Sequence, residues 1–121
     1  MRSTVLAILN TPDLDRALRF YTGLFDTQEF QRVPKEGPTF FVGLRIGDSD
    51  LGLVSDGQTV AGEPGRILIS VDVPDVDALL DRVTELGGQV SGPPNDMPWG
   101  QRVAHVRDPD GNVVNLTHEL T

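Results

Sequence analysis

The chain contains the same pattern twice, and this limits what it can fold into more than any other feature. Asn10-Thr11-Pro12-Asp13-Leu14-Asp15 returns as Asp72-Val73-Pro74-Asp75-Val76-Asp77, 62 positions later. An internal repeat implies two copies of one supersecondary unit. The same offset holds beyond that motif. Leu14, Ala17, Leu18, Tyr21 and Leu24 fall at helical spacing, and the equivalent positions carry Val76, Leu79, Leu80, Val83 and Leu86. Five apolar residues on one face, in both copies, predict two amphipathic helices. Each opens with a Pro-Asp pair, which suits the first turn and the positive end of the helix dipole. Gly87-Gly88 ends the second.

Strand-like runs surround both helices. Thr4–Leu9 and Arg66–Val73 precede them. Glu29–Val33, Thr39–Ile46 and Asp50–Ser55 follow the first helix, and Gln89–Ser91, Arg102–Arg107 and Asn112–His118 follow the second. Each half therefore reads β-α-β-β-β, an α+β chain of two tandem βαβββ modules. The expected organisation is one domain over residues 1–121, with module one at 1–55, a Gly- and Pro-rich linker at 56–65 and module two at 66–121.

Composition narrows the function. Eighteen acidic against ten basic residues leave a net charge of −8. That repels a phosphate backbone, so nucleic acid is not an expected partner. The charge either draws in a cationic ligand or only keeps the surface solvated. The absence of cysteine excludes thiolate metal sites and fits a reducing, cytoplasmic location. The apolar run Val5–Leu9 is too short for a signal-peptide core or a membrane span, so no membrane partner is expected. No phosphate-binding glycine loop or nucleophile elbow occurs.

The doubled βαβββ unit is similar to the vicinal-oxygen-chelate superfamily, which includes glyoxalase I and the bleomycin-resistance proteins. Pro12-Asp13-Leu14-Asp15-Arg16-Ala17-Leu18-Arg19-Phe20-Tyr21 resembles that family's first helix. Pro98-Trp99-Gly100-Gln101-Arg102 followed by Asp108-Pro109-Asp110-Gly111-Asn112 resembles its last hairpin, with Pro-Trp-Gly closest to the bleomycin-resistance branch. The resemblance implies curved mixed sheets around a concave trough, with helices on the convex side. The resemblance also implies paired troughs, within one chain or across a two-fold dimer, and the expected assembly is a homodimer with pockets near the interface. Metal-using members hold one divalent ion in the trough through the first and last strands of each half. Carried onto this sequence, those positions are Leu6 and Leu68, then Asn115 and its repeat partner Leu53. Leucine cannot ligate a metal, and one amide oxygen is a poor site. Neither a metal nor another cofactor is therefore expected.

Strand alternation assigns the faces. Ala104, Val106, Val114 and Leu116 should cover the second helix, and Ile67, Ile69, Val71 and Val73 should join them. Val103, His105, Arg107, Val113, Asn115 and Thr117 should then face the trough with Leu68, Ser70 and Asp72. The 62-residue offset adds Leu6, Ile8, Phe41, Gly43, Leu51, Leu53 and Ser55, and gives Phe40 to the helix side as core. Tyr21 is expected in the core. His118 has the opposite parity and is expected to be structural or exposed. Trp99, the single tryptophan, either stacks on a ligand or lids the core. His105 is open to three readings: general base, ligand hydrogen-bond partner or wall residue.

The expected function is metal-free binding of an apolar or aromatic compound, cationic in one version, such as an antibiotic to be sequestered. The ligand set would be Leu6, Ile8, Phe41, Leu53, Leu68, Trp99, Val103, His105 and Asn115. The alternative is a metal-free lyase or isomerase in which His105, with Asp72, moves a proton. A metal-dependent glyoxalase or dioxygenase with differently placed ligands is the third reading.

Overall fold

In a computed structural model, which describes residues 3–121, the chain forms two compact units. The first ends at Val60 and the second begins at Ala61, inside the expected linker. In the first unit the order is β1 (Ala7–Thr11), α1 (Leu14–Leu24), β2 (Thr27–Val33), β3 (Phe41–Ile46) and β4 (Ser49–Ser55). The strands form one mixed sheet ordered β1-β4-β3-β2, in which only the β1–β4 pair is parallel.

Helix α1 starts where the sequence motif lies, one step from the expected arrangement. Asp13 is the N-cap, its carboxylate accepting the Arg16 N–H at 3.1 Å. Pro12 therefore precedes the cap instead of opening the first turn. Thr11, almost fully buried, steadies this entry: its Oγ1 donates to the Asp13 carbonyl and accepts the Asp13 N–H, both at 3.1 Å. The buried stripe is Leu14, Ala17, Phe20, Tyr21 and Leu24. Phe20 and Tyr21 meet edge to face, with ring centroids 5.1 Å apart. Burying side chains of this size stabilises by about 1.5–3 kcal/mol each. Their partners on the sheet are Val42, Leu44, Leu51 and Leu53, all buried.

The second unit repeats this plan with β5 (Ile69–Asp72), α2 (Val76–Glu85), β6 (Gln89–Val90), β7 (Asn95–Asp96), β8 (Gln101–Arg107) and β9 (Val113–Glu119). Its sheet runs β5-β9-β8-β6, with β7 also pairing β8. The two-residue β7 was not expected from sequence, because turn residues hide so short a strand. Asp75 caps α2, and Gly87, at φ +91°, ends it while the Gly88 N–H returns to the Val83 carbonyl. The core here is Val73, Val76, Val83, Ala104, Val106, Val114 and Leu116.

His118 has a definite task. Its Nδ1 accepts the Val76 N–H at 2.8 Å, satisfying a first-turn donor of α2 that has no partner within the helix. Arg102 ties β8 to the same helix through Asp77, at 2.6 Å, and also bonds Asp96 on β7 at 2.8 Å. The Arg102 guanidinium holds the Asp77 carboxyl below the ordinary carboxylate range. The β8–β9 loop is built on Asp108, whose carboxylate accepts from the Asp110 and Asn112 backbone and from the Asn112 side chain. Gly111, at φ +91°, lies against the Gly62 backbone, leaving no room for a side chain.

Three expectations about faces change. Leu51, Leu53 and Ser55 belong to the helix face of the first sheet, not to the opposite one. Leu53 is fully buried and paired with Val42, and Ser55 pairs with Thr11. The cause is a one-residue difference between the two hairpins. Ala7 pairs with Leu51, whereas its repeat partner Ile69 pairs with Val114. The offset is therefore 63 in the last strand, and a slip of one residue turns every side chain to the other face. Ile67 precedes β5 and is 81% exposed, so it does not join the helix-side core. Phe40 also lies outside the strand and is exposed, not core.

Candidate functional site

Each sheet has one face covered by its helix and one open face. In the first unit the open face is apolar and nearly flat in chemistry. Gly43 and Gly52 sit directly opposite each other on β3 and β4. A Cβ at Gly43 would fall 2.5 Å from the Phe30 ring. One at Gly52 would fall 2.9 Å from the Phe41 ring and 3.2 Å from Ile8. Two aromatic rings thus lie over a floor of bare backbone, beside Ile8. Phe30 reaches this face because β2 bulges between Glu29 and Gln31, making Phe30 the unpaired extra residue. Arg45, ion-paired with Asp50, stands 5.9 Å from the Phe30 centroid, at the outer limit of a cation–π contact.

The open face of the second unit is polar around a small apolar centre. Val103 is buried at that centre. His105 and Asn115 lie opposite each other on β8 and β9, with Nδ1 2.7 Å from the Asn115 Oδ1. Beside them Ser70 pairs with Asn115, and Asp72 accepts from the Thr117 hydroxyl at 3.2 Å. At the other end the Trp99 Nε1–H donates to Gln101 at 2.9 Å, and Gln101 donates to Glu119 at 3.3 Å. Trp99 rides the tip of the β7–β8 hairpin, where the Met97 N–H meets the Gln101 carbonyl and Gly100 supplies φ +93°. Its ring is 67% exposed. It therefore covers no core of its own unit, and its indole nitrogen is held by Gln101.

Of the residues expected from sequence, the first unit brings together Ile8 and Phe41. The second brings together Val103, His105 and Asn115, with Trp99 at the end of the same sheet. Leu6 and Leu68 lie just before β1 and β5 and are exposed. Leu53 is lost to the core. Phe30 was missed, because a bulge has no signature in a strand pattern. A separate open cleft of about 500 Å³ lies on the helix side of the first unit, among Asp13, Asp15, Arg32, Thr39 and Ser55. Arg32 there is clamped by Glu29 at 2.6 Å and lowers that carboxyl's pKa.

The residues at the family's metal positions do not fit a divalent ion. With the corrected register the Asn115 counterpart is Gly52, since Ile8 pairs with Gly52 as Ser70 pairs with Asn115. The set is then Leu6, Gly52, Leu68 and Asn115, and its one oxygen already accepts from His105. Among the described residues no three His, Cys, Asp or Glu side chains gather closely enough to hold an ion.

Two mixed sheets, each backed by one helix after the first strand, define the glyoxalase class of fold. The chain belongs to the Glyoxalase/Bleomycin resistance protein/Dioxygenase superfamily, whose family model matches residues 4–116. An uncharacterized protein of Mycobacterium bovis is 31% identical over 114 residues, covering 86% of this chain and 75% of its own. The crystal structure of TioX from Micromonospora sp. ML1 superposes with a TM-score of 0.74 at 28% identity, covering 98% of this chain and all of that one. The hypothetical protein SA1046 from S. aureus gives a TM-score of 0.76, also at 28% identity, with 98% of both chains covered.

Proposed function

We propose that this protein binds a planar apolar or aromatic small molecule without a metal, holding and sequestering it rather than transforming it. The observation that carries this reading is the pair of rings, Phe30 and Phe41, laid over the opposed glycines of the first open face. Such a surface offers stacking area and almost no chemistry. Mostly apolar surface with a few convergent polar groups is the composition of a small-molecule site. The second unit, taken by itself, offers an exposed ring in Trp99 and the polar pair His105 and Asn115 on its own open face, with Val103 as its apolar member. A positive charge on the ligand agrees with the net charge of −8, and an antibiotic is one compound class of this kind. The open apolar face is costly in water, which favours a homodimer that covers part of it.

One observation favours a second reading. The His105–Asn115 pair leaves the imidazole Nε2 open, as a general base requires. In that case the protein would be a metal-free lyase or isomerase. Native mass spectrometry of freshly purified protein tests the proposal. The expected spectrum shows a dimer that loses a bound organic molecule on activation. Monomer with no retained mass, after incubation with a panel of planar aromatics, would count against it.

A further inference from the structure

The position that supplies a metal ligand elsewhere in the superfamily carries Asn115 here, and Asn115 is not idle. Its Oδ1 can only accept, so the His105 nitrogen 2.7 Å away must carry the proton. The imidazole is then the Nδ1–H tautomer, with Nε2 as a bare acceptor on an exposed ring. His105 is exposed on β8, and its strand-pair neighbours across the sheet are Asn115 and, beyond it, Ser70. His118 is held the opposite way. Its Nδ1 accepts from the Val76 backbone, so its proton sits on Nε2. The two histidines of the chain are therefore locked in opposite tautomers by different partners.

We infer that Asn115 is a positioning residue that sets His105 as a hydrogen-bond acceptor, so that the site selects ligands presenting an N–H or O–H donor beside their flat ring. This rests on the small-molecule reading above and adds the chemistry that the ligand must show. Discrimination by such a pair arises because a ligand lacking the donor leaves the acceptor unsatisfied once water is displaced. Asp72 and Glu119 also present carboxylate oxygens on this face. A donor preference alone is therefore not enough, and it must depend on residue 115.

The test combines ring-nitrogen NMR with calorimetric titration, using naphthalene and 2-naphthol as probes that differ by one hydroxyl. Both are measured at about pH 8, above the ordinary histidine range. In the unaltered protein His105 should show protonated Nδ1 and His118 protonated Nε2. 2-Naphthol should bind about five- to tenfold more tightly, on the order of one hydrogen bond. Asn115→Leu should move His105 toward the Nε2–H form and bring the two affinities together, while His118 stays unchanged and reports an intact fold. Asn115→Asp, which keeps an acceptor at the same place, should retain both the tautomer and the preference. A protonated Nε2 on His105 in the unaltered protein would overturn the inference, as would a preference that survives Asn115→Leu. Equal affinity for the two probes overturns the inference alone, whereas saturable binding of neither overturns the binding reading as well.

Discussion

Trp99 and Leu53 show how much a single side chain's surroundings decide. Both are apolar and both stand in the ligand set expected from the sequence, Trp99 with a core lid as its alternative. Leu53 lies between Val42 and α1 with no exposed surface. Leu53→Ala should lower stability by about 2–5 kcal/mol, the usual cost of a cavity in a packed core. Ligand affinity per folded molecule should not change. A chemical denaturation curve paired with a titration checks this, and a mutant of unchanged stability would contradict the register. Trp99 is the reverse case. Its exposure means that Trp99→Ala should leave the melting temperature within a few degrees. It should weaken binding of a planar aromatic about tenfold, since roughly 1.4 kcal/mol is one decade of affinity and aromatic stacking is worth about 0.5–1.5 kcal/mol beyond area. A large loss of stability with intact affinity would mean that the indole serves the fold. The sequence pointed to His105 and Asn115 together because alternation within one hairpin is local and unambiguous. It could not reveal Phe30, which reaches the open face only through an irregularity in β2.

At the level of elements, the repeat was readable because both helices carry the same five-position apolar face after the same Pro-Asp entry. Those features depend on neighbours three and four residues away. The 62-residue offset also placed β3 correctly against β8, with Val42 and Leu44 on the helix face as Ala104 and Val106 are. It failed in β4 because hairpin length sets the register, and the β8–β9 hairpin is one residue longer. Nothing in strand composition reveals that slip, since Leu51, Leu53 and Val54 are apolar on both faces. The ends of α2 teach the same lesson. Asp75 was legible as an entry signal, but His118, 42 residues further on, was not legible as the partner of the Val76 N–H. Removing it leaves a half-buried donor with no partner in the first turn. His118→Ala should cost about 1 kcal/mol and lower amide protection in α2 more than in β8. Hydrogen exchange followed residue by residue measures this. Uniform loss across the second unit, or no loss, would contradict a local cap.

For the whole molecule, the two units share one plan and carry different open faces: aromatic over glycine in the first, hydrogen-bonding in the second. Leu6, Gly52 and Leu68 have no donor atom, and the Asn115 oxygen is committed to His105, so a reaction routed through a bound dication finds no support in the side chains. No helix among the described residues is long and apolar enough to cross a membrane. The proposed function requires a planar molecule to bind through stacking and hydrogen bonds alone. Calorimetric titration of a planar aromatic such as 2-naphthol, before and after exhaustive chelation, tests it most directly. The expected result is saturable binding with the same affinity in both samples, and no gain on adding zinc, nickel, manganese or iron(II). Binding that disappears on chelation and returns with a divalent ion would contradict it.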